Sequence, residues 1–295
     1  MKTQTGLVLA LKYHLSDNER LTEQMLRKLL RDNKNKLNTG FVGTPLLCNV
    51  LTEHGMTDLA YRLLLNEEYP GWLHEVKLGA TTVWERWNSL DENGRISSTG
   101  MNSLNHYSYG AVLEWIFRHV AGIDVTEQGP GGKMMRISPK VDHKLGSASA
   151  VYDSASGCYR CGWQIENGDQ ITVTITVPFG AKAQVILPYA PDSVYHDTDN
   201  PLFETVENGI CCVKAGQYTV TYKAASPLKK SYSVDSTLED LLAEPAIRAF
   251  LSNMMEVDMI PDLAYGLTLR QAAEAFAGGV SAEQAQRLNV LLEEF

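Results

Sequence analysis

The stretch Ile171-Thr172-Val173-Thr174-Ile175-Thr176-Val177 alternates strictly between apolar and hydroxyl-bearing side chains. Because neighbouring side chains of a β-strand point to opposite faces, this period of two predicts a strand with one buried face. Residues 183–187 and 217–222 alternate similarly, and Asn-Gly pairs at 167–168 and 208–209 are typical hairpin turns. Residues 124–225 are therefore predicted to form an antiparallel β-sandwich.

A helical pattern precedes this region. Up to about residue 123, apolar residues recur every three or four positions, which predicts helices over 19–32, 43–54, 57–66 and 103–121. Gly55 and Gly122 follow two of these segments and are candidate left-handed caps, and Ser103 is a candidate N-cap for the helix from residue 104 to 121. Residues 67–102 form a long irregular segment, and such segments in helical domains are usually functional.

Helical periodicity returns after the β region, with candidate helix-start residues at Ser236, Pro245, Thr268 and Ser281. The predicted organisation is a helical domain over residues 1–123, a β-sandwich over 124–225 and a small helical domain over 226–295. Residues 1–5 run directly into the apolar helical stretch 6–11, so we expect the chain to begin inside a domain.

The overall composition excludes some partners. The chain has 295 residues, 44% of them hydrophobic, and a formal net charge of -9. This size and apolar content suffice for about two domains with buried cores. The negative charge argues against nucleic acid and anionic membranes as partners, because both require clustered Lys and Arg. No run of about 18 apolar residues predicts a membrane span.

The five cysteines are candidate zinc ligands. Cys158 and Cys161 form a CxxC pair, and Cys211 and Cys212 are adjacent. Adjacent cysteines in a strand face opposite sides, which disfavours a shared metal. We therefore expect free thiols in a cytoplasmic protein, with no metal and no cofactor.

The strongest chemical signal is the run Trp84-Glu85-Arg86-Trp87 within the irregular segment. If this run is extended, Glu85 and Trp87 share one face and Trp84 and Arg86 share the other. A carboxylate beside an aromatic plate suits a sugar site, since the plate covers the apolar face of the ring and the carboxylate handles a proton. The alternative is an ordinary Glu85–Arg86 ion pair above two buried tryptophans.

Two further residues are candidates for sugar contacts. His106 lies at the start of a predicted helix, where it could bond a sugar hydroxyl. Trp72 could supply a second aromatic wall. Purely structural roles remain open for both, with His106 satisfied by a neighbouring loop and Trp72 packed in the core.

Several motifs resemble the bacterial α-L-rhamnosidases of glycoside hydrolase family 78. They are Gly79-Ala80-Thr81-Thr82-Val83-Trp84-Glu85-Arg86-Trp87, residues 39–45, Ser103-Leu104-Asn105-His106-Tyr107 with residues 110–115, and residues 129–139 and 147–153 of the β region. The resemblance implies a partial (α/α)6 barrel before the β-domain, an inverting mechanism and terminal α-L-rhamnose as substrate. It also implies that Glu85 is the general base, that His106 contacts the sugar, and that Trp72 and Trp87 are wall residues.

The chain departs from the family in one important respect. The family's general acid comes from an acidic stretch in the earlier half of the barrel, and nothing like that stretch occurs here. Four other carboxylates are available, but nothing in their sequence context marks one of them as the acid: Glu75, Asp91, Glu92 and Glu114. We therefore predict the base-bearing portion of a hydrolase acting on rhamnose-containing glycosides, which self-associates or docks to the missing barrel half. The alternatives are a non-catalytic carbohydrate-binding relative, or a helical-barrel hydrolase or lyase acting on another sugar.

Overall fold

The computed structural model describes residues 3–91, 93–97, 100–127, 129–276 and 278–293. The chain divides into two compact units, Met1–Leu228 and Lys229–Phe295. Each unit has its own cluster of buried apolar side chains. The first unit contains helices followed by β-sheets, and the second is helical. This order confirms the predicted succession of helical and β regions, while the three predicted domain boundaries stay a prediction.

The first unit begins with a group of packed helices. Their bounds are α1 Gln4–Lys12, α2 Glu19–Asp32, α3 Thr44–Glu53, α4 Thr57–Leu64 and α5 Trp72–Lys77. The helices α2, α3 and α4 confirm the predictions for 19–32, 43–54 and 57–66. Leu11, Leu26 and Leu47, one from each of the first three helices, are fully buried. Burying a leucine side chain contributes roughly 1.5–3 kcal/mol, so these contacts stabilise the helical group.

The predicted helix over 103–121 is wrong in its first part. Regular structure starts only with a 3₁₀ turn over Ser108–Ala111, followed by α6 over Val112–Trp115 and a π-helical turn over Ile116–Val120. Ser103 is not an N-cap, since its hydroxyl bonds within a local turn at Asn105. The backbone N–H of His106 donates to Val83 O at 2.7 Å instead of joining a helix. A contact distant in sequence therefore overrides the local helical pattern.

Two β-sheets follow the helices. One has the strand order β3 Ser147–Ser154, β4 Gly157–Glu166, β5 Gln170–Val177 and β9 Gly216–Lys223, and all its pairs are antiparallel. The strand β5 confirms the predicted alternation, because Ile171, Val173, Ile175 and Val177 are all buried. The predicted Asn208-Gly209 turn is also present, with positive φ at both residues.

The second sheet is mostly antiparallel and includes a parallel pair of strands. Its strand order is β1 Ile123–Val125, β2 Met134–Ile137, β6 Lys182–Val185, β8 Ile210–Val213 and β7 Val206–Glu207. The strands β2 and β6 pair in parallel. Parallel neighbours need a long crossover, and three strands of the other sheet lie between β2 and β6 in the chain.

The helical and sheet regions of the first unit share one core. The indole N–H of Trp163 on β4 donates to Val120 O at 2.7 Å. Gly122, which links the last helical turn to β1, has a φ of 81° and accepts a hydrogen bond from the Ser138 N–H at 2.8 Å. This glycine confirms its predicted left-handed conformation, as does Gly55 after α3 with a φ of 72°.

The second unit contains α7 Leu238–Ala243, α8 Pro245–Ser252, α9 Leu269–Phe276 and α10 Ala282–Glu293. The N-cap of α7 is Thr237 and not the predicted Ser236, whose hydroxyl instead accepts a hydrogen bond from Ser233 N–H. Thr268 and Ser281 confirm their predicted capping roles, since each hydroxyl accepts the N–H of the third residue that follows. An antiparallel bridge joins Thr237 to Thr268.

All five cysteines are free thiols. Cys211 is buried and its neighbour Cys212 is exposed, as expected for adjacent positions on a strand. Within the described ranges, no helix is long and apolar enough to cross a membrane.

Replacing Gly122 by alanine should destabilise the first unit more than replacing Gly168. Both glycines have positive φ, which costs a non-glycine residue roughly 1–2 kcal/mol. A Cβ at Gly122 lies 2.2 Å from Pro139 N, whereas a Cβ at Gly168 meets nothing within 4 Å. Forced overpacking costs typically a further 1–3 kcal/mol, so we expect a loss of about 2–5 kcal/mol for Gly122→Ala and about 1–2 kcal/mol for Gly168→Ala.

Urea unfolding followed by tryptophan fluorescence measures this difference, because all five tryptophans lie in the first unit. Equal losses for Gly122→Ala and Gly168→Ala would contradict the close packing against Pro139.

Candidate functional site

The candidate site is built by two irregular segments that pair with each other. The Glu85 N–H donates to Ser103 O at 2.9 Å, and the His106 N–H donates to Val83 O at 2.7 Å. The hydroxyl of Thr82 also donates to the carbonyl of Leu104. These bonds bring Glu85 and His106, which are distant in sequence, onto neighbouring strands of chain.

The Trp84–Trp87 run is not extended, which corrects the predicted sharing of faces. Trp84 and Trp87 are both buried, whereas Glu85 and Arg86 are half-buried. A turn causes this difference, since the Arg86 N–H donates to Ser89 Oγ at 3.1 Å and the Ser89 N–H donates back to Arg86 O at 3.0 Å. The turn places residues three apart on one side, so both indoles point inward.

The two predicted wall tryptophans are in contact. The rings of Trp72 and Trp87 meet edge to face with centroids 5.4 Å apart. Tyr109 stacks on Trp87, with centroids 4.0 Å apart and ring planes 4° from parallel. Both indoles are fixed by hydrogen bonds, from Trp72 Nε1 to Tyr109 O and from Trp87 Nε1 to Thr39 O, each at 3.0 Å. Tyr109 therefore covers one face of Trp87.

His106 lies between two aromatic rings. It stacks on Phe41 with centroids 4.8 Å apart and on Tyr107 with centroids 5.1 Å apart. Its Nδ1 accepts a hydrogen bond from the Ser108 N–H at 3.3 Å. The neutral ring therefore carries its proton on Nε2, which can donate to an incoming oxygen. Phe41 and Tyr107 are 45% and 85% exposed, so this stack lies at the surface of the described residues.

The aromatic contacts connect all of these residues. Phe41 also meets Tyr109 with centroids 5.6 Å apart, which links the His106 stack to the Trp72–Trp87 pair. Sequence reasoning missed Tyr109 and assigned no role to Phe41. The available signal for Phe41 was its place in the family-like motif at residues 39–45, whereas Tyr109 had no such signal.

The carboxylate of Glu85 is available as a proton acceptor. In the part of the chain that the structure describes, no side chain bonds to it or forms an ion pair with it, Arg86 included. The backbone N–H of Glu85 donates to Ser103 O. A half-buried carboxylate of this kind can accept a proton from a water molecule.

A second carboxyl, that of Glu75 on α5, is buried with 4% of its surface exposed. Burial raises its pKa to about 7, and the nearby backbone N–H of Trp84 opposes part of this shift. Glu75 Oε1 has no hydrogen-bond partner among the described residues. The sequence showed Glu75 only as one of several available carboxylates, because nothing local reveals its burial.

The charged groups of the site converge on Tyr109. Burial raises the pKa of its hydroxyl, and the negative charges of Glu75 and Glu85 raise it further, while Arg86 lowers it. Such opposing charges around one hydroxyl are typical of a polar binding site. Across the described ranges, no group of three His, Cys, Asp or Glu side chains is placed to hold a metal ion.

Two family models match the chain. Residues 1–120 match the bacterial alpha-L-rhamnosidase 6 hairpin glycosidase domain, and residues 122–200 match the bacterial alpha-L-rhamnosidase C-terminal domain.

Similar proteins carry the same name. The alpha-L-rhamnosidase of Alteromonas sp. (strain LOR) is 39% identical over 221 residues, covering 74% of this chain and 23% of that protein. An alpha-L-rhamnosidase from Formosa agariphila is 38% identical over 208 residues, covering 70% of this chain and 22% of that protein. The structure of Streptomyces avermitilis alpha-L-rhamnosidase complexed with L-rhamnose has a TM-score of 0.68 and 34% identity, covering 75% of this chain and 22% of that one. The structure of the Aspergillus terreus α-L-rhamnosidase has a TM-score of 0.65 and 29% identity, covering 77% of this chain and 24% of that one.

The chain thus spans less than a quarter of the length of the relatives it matches, since it covers 23% and 22% of the two curated proteins.

Proposed function

The chain carries two domains of the bacterial α-L-rhamnosidase family, and we propose that it is the base-bearing portion of an inverting glycoside hydrolase that releases terminal α-L-rhamnose. The observation that carries the proposal is the half-buried Glu85 carboxylate, which has no side-chain partner among the described residues and whose segment is paired with that of His106 by backbone hydrogen bonds. The similar enzyme of Streptomyces avermitilis was solved with L-rhamnose, which supports the choice of sugar.

Inversion requires two carboxyl groups about 6.5–9.5 Å apart. Glu85 acts as the general base: it takes a proton from a water molecule whose oxygen attacks the anomeric carbon on the face opposite the leaving group. An acid gives a proton to the glycosidic oxygen as its bond to the anomeric carbon breaks. The Nε2–H of His106 donates to a hydroxyl of the sugar, and Trp72 and Trp87 support the wall of the pocket.

We propose that the acid lies outside this chain. Of the carboxylates considered in the sequence, Glu114 pairs with Arg118 at 2.8 Å. Asp91 accepts N–H bonds from Asn93 and Arg95 in a local turn. Glu75 is buried, with 4% of its surface exposed. Glu92, the remaining candidate, lies outside the described residues.

A cytoplasmic location stays a prediction. The free state of all five thiols fits a reducing compartment.

The isolated chain should turn over an aryl α-L-rhamnoside at least about 10²–10⁴-fold more slowly than a full-length relative, because it lacks general acid catalysis. Mixing it with the separately produced remainder of a relative should restore release of rhamnose, with inverted anomeric configuration by NMR. Glu85→Gln should abolish the restored turnover, whereas Glu53→Gln, which alters a carboxylate paired with Lys12, should not.

Rapid turnover by the chain alone that Glu85→Gln removes would show that the acid is present here. Rhamnose binding without turnover in the mixture would favour a non-catalytic binding protein. Faster turnover of another aryl glycoside would show that a sugar other than rhamnose is the substrate.

His106→Phe should weaken L-rhamnose binding by about fivefold. The substitution keeps a flat ring between Phe41 and Tyr107 but removes the Nε2–H donor, and one hydrogen bond is worth about 1 kcal/mol. Calorimetric titration measures the change, and parallel thermal unfolding checks that the loss of the Ser108 bond leaves the fold intact. Unchanged affinity would remove His106 from the sugar site.

The helical region offers an apolar surface for self-association or for docking of the missing barrel half. Its exposed side chains include Leu21 and Met25, four residues apart on α2, with exposures of 51% and 39%. Exposed apolar surface of this kind tends to recruit a partner. Light scattering should give a mass above the 32.7 kDa of one chain, and the double variant Leu21→Glu, Met25→Glu should return it to that value. A monomer with low dye binding would contradict the proposal.

A further inference from the structure

A side-chain pair closes the turn that follows the proposed base. Ser89, at the end of the Arg86–Ser89 turn, is fully buried, and its hydroxyl donates to Asn102 Oδ1 at 2.7 Å. The side-chain amide of Asn102 donates back to Ser89 O at 2.9 Å. Because a carbonyl oxygen can only accept, this second bond fixes which end of the amide faces Ser89. The two residues are therefore joined by a reciprocal pair of hydrogen bonds.

Every polar group of Ser89 has a partner. Its hydroxyl also accepts the Arg86 N–H at 3.1 Å, and its own N–H donates to Arg86 O at 3.0 Å. Its carbonyl accepts a second bond, from the Ser97 N–H at 3.0 Å. A buried polar residue destabilises the fold unless its donors and acceptors are paired, and Ser89 meets this condition. One buried serine thus ties the turn at Arg86 to Ser97 and Asn102.

We propose that Asn102 and Ser89 are positioning residues for Glu85, whose carboxylate they keep in place by fixing the turn that follows it. This inference rests on the proposed role of Glu85 as general base. Ser89 itself cannot meet a sugar, because it is fully buried.

The pair extends the series of bonds between the two irregular segments. Before Glu85, the backbone bond of the His106 N–H joins the segments, and at Glu85 itself the N–H donates to Ser103 O. Beyond Glu85, the Ser89–Asn102 pair joins the same two segments. Asn102 immediately precedes Ser103, so neighbouring residues of one segment bind positions 85 and 89 of the other. Glu85 therefore lies between anchors on both sides.

This arrangement bears on catalysis, because a general base must lie within hydrogen-bond reach of the proton that it removes. A displacement of about 1 Å caused by a remote substitution can slow a reaction by about 10²-fold. The Glu85 carboxylate has no side-chain partner among the described residues, so its position depends on its backbone. Loss of the Ser89–Asn102 bonds should therefore displace this carboxylate, while His106 keeps its aromatic stack and its bond to Ser108.

Amide hydrogen exchange of the full chain tests the proposal without any sugar. Protection of the Glu85 amide, which bonds to neither substituted side chain, should fall by about tenfold in Asn102→Ala and in Ser89→Ala, whereas amides of α3 keep theirs. Ser89→Ala adds no atom to its buried site, so it provides the measurement even if Asn102→Ala does not fold. Asn88→Ala is the matched control, because it replaces an exposed asparagine of the same turn.

Steady-state kinetics give a readout that a purely structural role would not move. In the mixture of this chain with the remainder of a relative, Asn102→Ala and Ser89→Ala should lower kcat by about 10–10²-fold and leave KM unchanged. The reason is that the base acts in the transition state, whereas the ground-state contact of His106 with the sugar is retained. Asn88→Ala should change neither constant.

Native protection of the Glu85 amide in both variants would overturn the proposal. Equal losses of protection at Glu85 and throughout α3 would overturn it as well, because they reflect general destabilisation. A raised KM with an unchanged kcat would also overturn it, since the pair would then shape the sugar pocket and not position the base. Absence of turnover in the native mixture counts against the proposed hydrolase function alone, because the exchange result still decides whether Asn102 and Ser89 hold the Glu85 segment.

Discussion

Pairing between two irregular segments, residues 82–85 and 103–106, brings the candidate site residues Glu85 and His106 onto neighbouring stretches of chain. The pairing consists of the Glu85–Ser103 and His106–Val83 backbone bonds and one side-chain bond from Thr82. Each such bond contributes only about 0.5–1.5 kcal/mol net, so the segments need further support. Buried indoles supply it, because Trp84 and Trp87 fill the core beneath them and the Trp87 N–H is fixed on Thr39. Apolar burial thus holds polar groups in place at the surface.

Local sequence patterns predicted secondary structure correctly where the burial of each segment in the folded chain matches its pattern. The alternation at residues 171–177 predicts β5 because one face of that strand is buried along its whole length. The helices α2 to α4 were predictable for the same reason. The helix predicted from residue 104 was not formed, since the His106 N–H is taken by Val83, a partner that no local pattern identifies. The parallel pairing of β2 with β6 likewise depends on how the chain returns, which periodicity does not encode.

The candidate site was predictable to a smaller extent. Family-like motifs singled out Glu85 and His106, and the structure brings their segments together. The extended geometry assumed for Trp84–Trp87 was wrong because the Arg86–Ser89 turn reverses the chain. Tyr109 and Glu75 could not be found from sequence, since their importance lies in stacking, burial and surrounding charge. These properties arise only when distant segments meet.

The short bridge between Thr237 and Thr268 gives the second unit a particular kind of cooperativity. Each threonine ends one side of the bridge and also caps the helix that follows it. Disruption at either residue therefore weakens the start of α7 and the start of α9 together. Opening of the bridge therefore leaves the first turns of both helices without this support.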